Sequence, residues 1–216
     1  MSNAVSVEDI EENLNDHVPH SVGGLSGHLF RRFIHLAMVI IPIIYYWEAD
    51  FVSSFTGLEP KQIVSVCAFA IILSEVIRLR IGIVVFGQRE YESSQPSAFF
   101  WGGTSVCLTL LIAPEEGMNG AAYGLPLILG LTLVDPILGE LRRANVSTEK
   151  VILCGYLSTL AIWIFCAYFV DTPYIIVPFV SALVVASEWP RLPWIDDNAT
   201  MLLIPLGFVM LLSPFL

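Results

Sequence analysis

The chain has 216 residues, 56 % of them hydrophobic and only 14 % charged, with a mean hydropathy of +0.74. That balance excludes an ordinary soluble domain and points to an integral membrane protein whose spans, about 20 residues each, consume most of its length. A net charge of −10 argues against nucleic acid as a partner, because phosphate backbones are bound by extended basic surfaces.

Residues 1–28 are polar and acidic, with Glu8, Asp9, Glu11, Glu12 and Asp16. They lack the basic-then-apolar pattern of a secretory signal and are expected to form an acidic, flexible cytoplasmic tail or a short surface helix. Residues 29–216 are expected to form a single transmembrane catalytic domain. Apolar runs place spans near 33–47, 63–79, 99–113, 121–139, 151–170, 174–187 and 199–216. The expected fold is an all-α polytopic membrane bundle of about seven transmembrane helices, with the third one short.

Basic residues test this division, since Lys and Arg accumulate in cytoplasmic connections. With the N-terminus inside, Arg31, Arg32, Arg78, Arg80, Arg89, Arg142, Arg143, Lys150 and Arg191 fall on the cytoplasmic side, and Lys61 alone falls outside. The expected topology is therefore N-terminus cytoplasmic and C-terminus outside. Cys67, Cys107, Cys154 and Cys166 lie in apolar runs without CxxC spacing and are expected to pack as small hydrophobes.

Four polar clusters mark the cytoplasmic boundary. In Arg31-Arg-Phe-Ile-His35, Arg31 and His35 share a helical face, and Arg32 points roughly 100° away. The arginines alone read as a topological anchor. An anchor needs no imidazole one turn deeper, and His35 can donate to a phosphate or shuttle a proton. In Ser74-Glu-Val-Ile-Arg78, Glu75 and Arg78 are three residues apart, which suits a structural ion pair as well as a functional one.

Asp135 follows the apolar run 125–134, where an unpaired carboxylate costs about 2.5–3.5 kcal/mol. Gly139, on the same face, admits close approach by a ligand or another helix. Glu140 reads either as a metal ligand or as the partner of Arg142 or Arg143. Last comes Glu188-Trp-Pro-Arg-Leu-Pro-Trp-Ile-Asp-Asp-Asn198, whose Pro190 and Pro193 interrupt helical hydrogen bonding and suit a bent connection lining a polar cavity. Asp196, Asp197 and Asn198 offer the oxygen donors that Mg²⁺ takes together with phosphate. A helix N-cap by Asp197 or Asn198 explains part of the same run.

With these residues in order, the chain resembles the dolichol kinase and phytol kinase family of CTP-dependent polyprenol and lipid-alcohol kinases. Arg31-Arg-Phe-Ile-His35 looks like that family's basic-basic-x-x-His element. Glu75-Val-Ile-Arg-Leu79, Asp135 with Gly139, and Glu188 followed by Asp197-Asn198 and Pro205 are similar to its later elements. Pro136 after Asp135 departs from the pattern. The resemblance implies transfer of the terminal phosphate of CTP to an isoprenoid or lipid alcohol, with Mg²⁺ or Mn²⁺ as cofactor.

On that reading Asp135, Asp197, Asp196 and Asn198 bind metal and phosphate, Arg31, Arg32 and Arg78 clamp the phosphates, and Glu188 or His35 serves as base. Asp135 also counts among the catalytic groups. The site faces the cytoplasm from the plasma membrane or the endoplasmic reticulum, and the lipid alcohol arrives from the bilayer. Two rival readings are a membrane cytidylyltransferase making a CDP-lipid and a transporter whose boundary carboxylates line an ion path.

Overall fold

The computed structural model describes residues 18–190, 192 and 194–216. Most of the acidic tail, together with Arg191 and Pro193, lies outside the described residues. The described part is all-helical, with isolated bridges at Ser21–Arg89 and Leu192–Ile195 as its extended pairings.

The helices are α1 (Gly24–Ala37), α2 (Ile40–Trp47), α3 (Ala49–Thr56), α4 (Pro60–Ile81), α5 (Ala98–Ile112), α6 (Gly124–Leu129), α7 (Asp135–Arg143), α8 (Thr148–Phe169), α9 (Val177–Ala186) and α10 (Asp197–Leu212). Among the described residues, five helical stretches are long and apolar enough to cross a membrane: Gly24–Trp47, Pro60–Ile81, Gly124–Arg143, Thr148–Phe169 and Asp197–Phe215. Two further apolar stretches, Ala98–Ile112 and Tyr174–Ala186, are shorter. The third segment is short, as expected, and regular: α5 runs unbroken through Gly102 and Gly103.

One stretch forms the centre. Gly124–Arg143 is 67 % buried across its most apolar window, against 17 % for both Gly24–Trp47 and Pro60–Ile81, whose remaining apolar surface faces outward. A helix apolar on all sides is a core helix, and Leu125-Pro-Leu-Ile-Leu-Gly-Leu-Thr-Leu-Val134 is of that kind. It packs against α5, α8 and α10, while α4 packs on α5, α8 on α9, and α10 on both α5 and α9. Cys107 and Cys166 lie in this core. Cys67 is exposed on the outward face, contrary to the expectation of core packing.

Contacts between chain segments define two ends. At one end Glu75 of α4 meets Ser97 before α5, Arg32 of α1 meets Asp135, Arg142 meets Glu188 after α9, and Asn198 meets Ala98. At the other, Lys61 pairs with Glu115 at 2.6 Å, Met118 N donates to Val170 O, and Thr172 Oγ1 donates to Ala122 O. The charged clusters singled out in the sequence all belong to the first end.

Pro136 has a visible consequence. It lacks the N–H that an α-helix needs there, and its ring crowds the carbonyl one turn earlier. The chain answers with a π-helical turn over Gly130–Val134, immediately before Asp135. Such turns re-aim the residues that follow them and are frequent at functional sites.

Candidate active site

Asp135, Glu188 and Asp197 each present a carboxylate oxygen, and these oxygens lie within 4.8 Å of one another. They come from three different elements: the start of α7, the turn after α9, and the first residue of α10. Asp135 and Glu188 are buried, at 7 % and 4 % exposure. Three carboxylates so close, with so little water, repel one another unless cations or protons intervene.

The cations are present. Arg32 Nη1 donates to Asp135 Oδ2 at 3.2 Å, and an Arg142 guanidinium nitrogen donates to Glu188 Oε1. His35 Nδ1 lies 3.5 Å from Asp135 Oδ2 without hydrogen-bond geometry and is left without a hydrogen-bond partner. Glu188 Oε2 and Asn198 Oδ1 are also buried without one. Buried polar atoms are nearly always satisfied, so the unpartnered Glu188 Oε2 within the cluster and His35 Nδ1 beside it favour a ligand.

Glu188 belongs to the turn rather than to a helix, and burial pushes its carboxyl up to about 8, with Asp135 and Asp197 adding to the rise and Arg142 and Arg32 opposing it. Asp196 is pushed up in the same way, first by burial and then by the neighbouring Asp197 carboxylate, while Arg31 opposes.

Asp196, not Asp197 or Asn198, caps α10: its side chain accepts from Asn198 N at 3.1 Å and from the Asn198 amide. Capping occupies Asp196 and leaves Asp197 in the first helical turn, turned toward Asp135 and Glu188. Hence the carboxylates that converge are Asp135, Asp197 and Glu188, whereas the sequence reading had grouped Asp135, Asp197 and Asp196 as metal ligands. Asn198 is seated against Gly102 of α5, where a Cβ would come within 3.8 Å of the Asn198 Cβ.

The arginines divide. Arg32 reaches the cluster directly. Arg31 lies at its edge, 3.0 Å from Glu92 Oε1 and 4.0 Å from Asp196 Oδ2. Arg78, expected to clamp phosphate, is occupied elsewhere. Its Nε and Nη2 hold Glu75 at 2.8 Å each, and its remaining N–H groups donate to the carbonyls of Ile83, Glu92 and Gln95. Five donors spent on one carboxylate and three carbonyls make Arg78 the anchor of the segment between α4 and α5. Glu75 is its ion-pair partner and accepts from Ser97 as well.

Glu140 accepts from His28 at 3.0 Å, Arg143 at 2.9 Å and Arg32 at 3.4 Å. Sequence reasoning passed over Glu92, His28 and the role of Arg142. None had a local signal, because their partners lie 61, 112 and 46 residues away.

Trp194 is tied to α5, where Trp101 Nε1 donates to Trp194 O at 2.7 Å, and it takes a positive φ of 70°. A cleft of about 330 Å³ opens beside Glu188, lined by Arg142, Asn145, Ser147, Thr148 and Trp189 among others. Comparison with protein-family models, with curated proteins and with solved structures returns no match.

Proposed function

We propose that the chain is a membrane lipid kinase, moving the terminal phosphate of a nucleoside triphosphate, CTP by resemblance, onto the hydroxyl of an isoprenoid or lipid alcohol. The observation that carries this reading is the convergence of Asp135, Glu188 and Asp197 within 4.8 Å beside Arg32, Arg142 and His35. Oxygen donors alone, with no thiolate or paired imidazoles, suit Mg²⁺ or Mn²⁺. The unpartnered Glu188 Oε2 and Asn198 Oδ1 leave acceptor capacity for such an ion.

Phosphoryl transfer is achieved by positioning and charge neutralisation. Asp135, Glu188 and Asp197 would hold a divalent ion, which when bound would supply positive charge to offset that of the phosphates. Arg32, Arg142 and the edge residue Arg31 face the remaining phosphate charge, and Asn198 steadies the turn beneath. The alcohol oxygen attacks the terminal phosphorus, the bond to the bridging oxygen breaks, and the nucleoside diphosphate leaves.

With Glu188 in the carboxylate set, His35 is the group positioned to take the hydroxyl proton, because its free Nδ1 is held beside Asp135. The cleft beside Glu188 has room for the rest of a nucleotide. The seven apolar segments then read as seven spans, N-terminus inside, with the site facing the cytoplasm. In that arrangement an alcohol reaches the hydroxyl position from the bilayer.

The test is purified protein with Mg²⁺, each nucleoside triphosphate in turn, and a panel of dolichol, phytol, geranylgeraniol and diacylglycerol, with products followed by mass spectrometry. A phosphorylated alcohol with nucleoside diphosphate supports the reading. Pyrophosphate release supports the cytidylyltransferase instead, and nucleotide-independent counterflow across sealed vesicles supports the transporter.

A further inference from the structure

Glu92 sits in the short turn Glu90–Ser93, at 1 % exposure, with no place in the proposed chemistry. It is gripped from both sides. Its backbone carbonyl accepts from Arg78 Nη1 at 2.7 Å, and its Oε1 accepts from Arg31 Nη1 at 3.0 Å and from Arg89 N at 3.2 Å. A carboxylate so buried is costly unless paired, and its cationic partner here is Arg31. The other guanidinium nitrogen of Arg31 stands 4.0 Å from Asp196 Oδ2, beyond hydrogen-bonding distance.

We propose that Glu92 is a positioning residue: it holds Arg31 at the rim of the carboxylate cluster and keeps that guanidinium from collapsing onto Asp196 and Asp197. The inference rests on the metal-site reading above. A long, flexible arginine beside two adjacent carboxylates forms a direct pair unless something competes for it. Such a pair places a fixed positive charge where a divalent cation has to bind. Glu92 supplies the competing carboxylate, and Arg78 fixes Glu92 through its main chain, so the buried Glu75–Arg78 pair acts on the site at two removes. Partners that orient a metal site without touching the ion change its affinity about 10- to 100-fold when removed.

The experiment measures Mn²⁺ affinity on the purified full chain, by the electron paramagnetic resonance signal of free Mn²⁺, for wild type, Glu92→Gln, Glu92→Asp, Arg31→Gln and the Glu92→Gln/Arg31→Gln pair. Melting curves accompany each variant, and Glu92→Asp carries the test if the amide variant does not fold. Both Glu92 variants should bind Mn²⁺ about tenfold more weakly. Arg31→Gln should bind no more weakly than wild type, and the double variant should return to the Arg31→Gln level. A loss at Glu92 that persists without Arg31 marks a merely structural residue and overturns the proposal. Wild-type affinity in Glu92→Asp overturns it too, since charge without reach would then suffice. Wild-type protein that binds no Mn²⁺ sinks the metal-site reading together with this inference, whereas normal wild-type binding with unchanged Glu92 variants sinks this inference alone.

Discussion

Gly139 makes room for Arg32: a Cβ at position 139 would lie 2.0 Å from an Arg32 Nη atom and 3.0 Å from its Cζ. The guanidinium lies across the helix at its one residue without a side chain, between Asp135 and Glu140. Gly139→Ala should therefore push Arg32 off Asp135. Ala favours helix over Gly by up to about 1 kcal/mol, which offsets part of the stability lost with the Arg32–Asp135 pair, so the melting temperature should fall less than when the buried Glu75–Arg78 pair is broken. Phosphate transfer should fall about tenfold or more, equivalent to about 1.4 kcal/mol in the barrier. Melting curves and initial rates on the same preparation check this, and unchanged transfer would contradict it.

Ligand-linked stability tests the carboxylate cluster without any assay of turnover. A saturating ligand at about 100 times its dissociation constant stabilises the native state by about 2.7 kcal/mol. Mn²⁺ should raise the melting temperature of the wild type. Asp135→Asn, Glu188→Gln and Asp197→Asn should each remove most of that rise while melting as cooperatively as the wild type does without metal. Asp196→Asn should retain the rise, since Asp196 caps α10 instead.

The Glu188 carboxyl, raised from the usual 4.5 to about 8, predicts a pH dependence of definite sign. The native state keeps a proton there that the unfolded chain releases, so the stability it contributes is fully present in acid and is lost as pH rises through about 8. Chelator-treated protein should melt lower at about pH 9 than at about pH 6, and Glu188→Gln should flatten that slope. Mn²⁺ affinity should run the opposite way, because the ion must displace the proton: it should climb toward about pH 8 and then level off.

Arg78→Lys separates an anchor from a phosphate ligand. An ammonium cannot reproduce five N–H donors in a fixed fork, and breaking a buried ion pair costs about 3–5 kcal/mol. The expected result is a large drop in melting temperature, with proteolysis between α4 and α5. A variant that melts normally but needs far more nucleotide would restore Arg78 to the phosphates.

Much of this molecule was legible before its fold. Hydropathy located the seven apolar segments, because desolvation imposes a length and a composition that local sequence records. The partition of Lys and Arg singled out one end, and contacts there join Arg31, Arg32, Arg142 and the acidic residues. Helical spacing correctly paired Glu75 with Arg78 and separated the directions of Arg31 and Arg32, since both are relations within a single turn.

What only the tertiary structure decided is how those charges are matched. Glu92 is 61 residues from Arg31, and Glu188 is 46 from Arg142, so no periodicity connects them. Whether Asp196 or Asp197 faced the cluster turned on which of two adjacent residues capped α10, a choice of backbone angle that composition does not encode. Arg78 matched the motif of a phosphate-binding arginine, yet its donors were claimed by the carbonyls of a loop whose path the sequence left open. Residue types set the available chemistry; the packing of the central helix against α5, α8 and α10 determined which carboxylates share one volume, because electrostatic energy depends on distances through space and not along the chain.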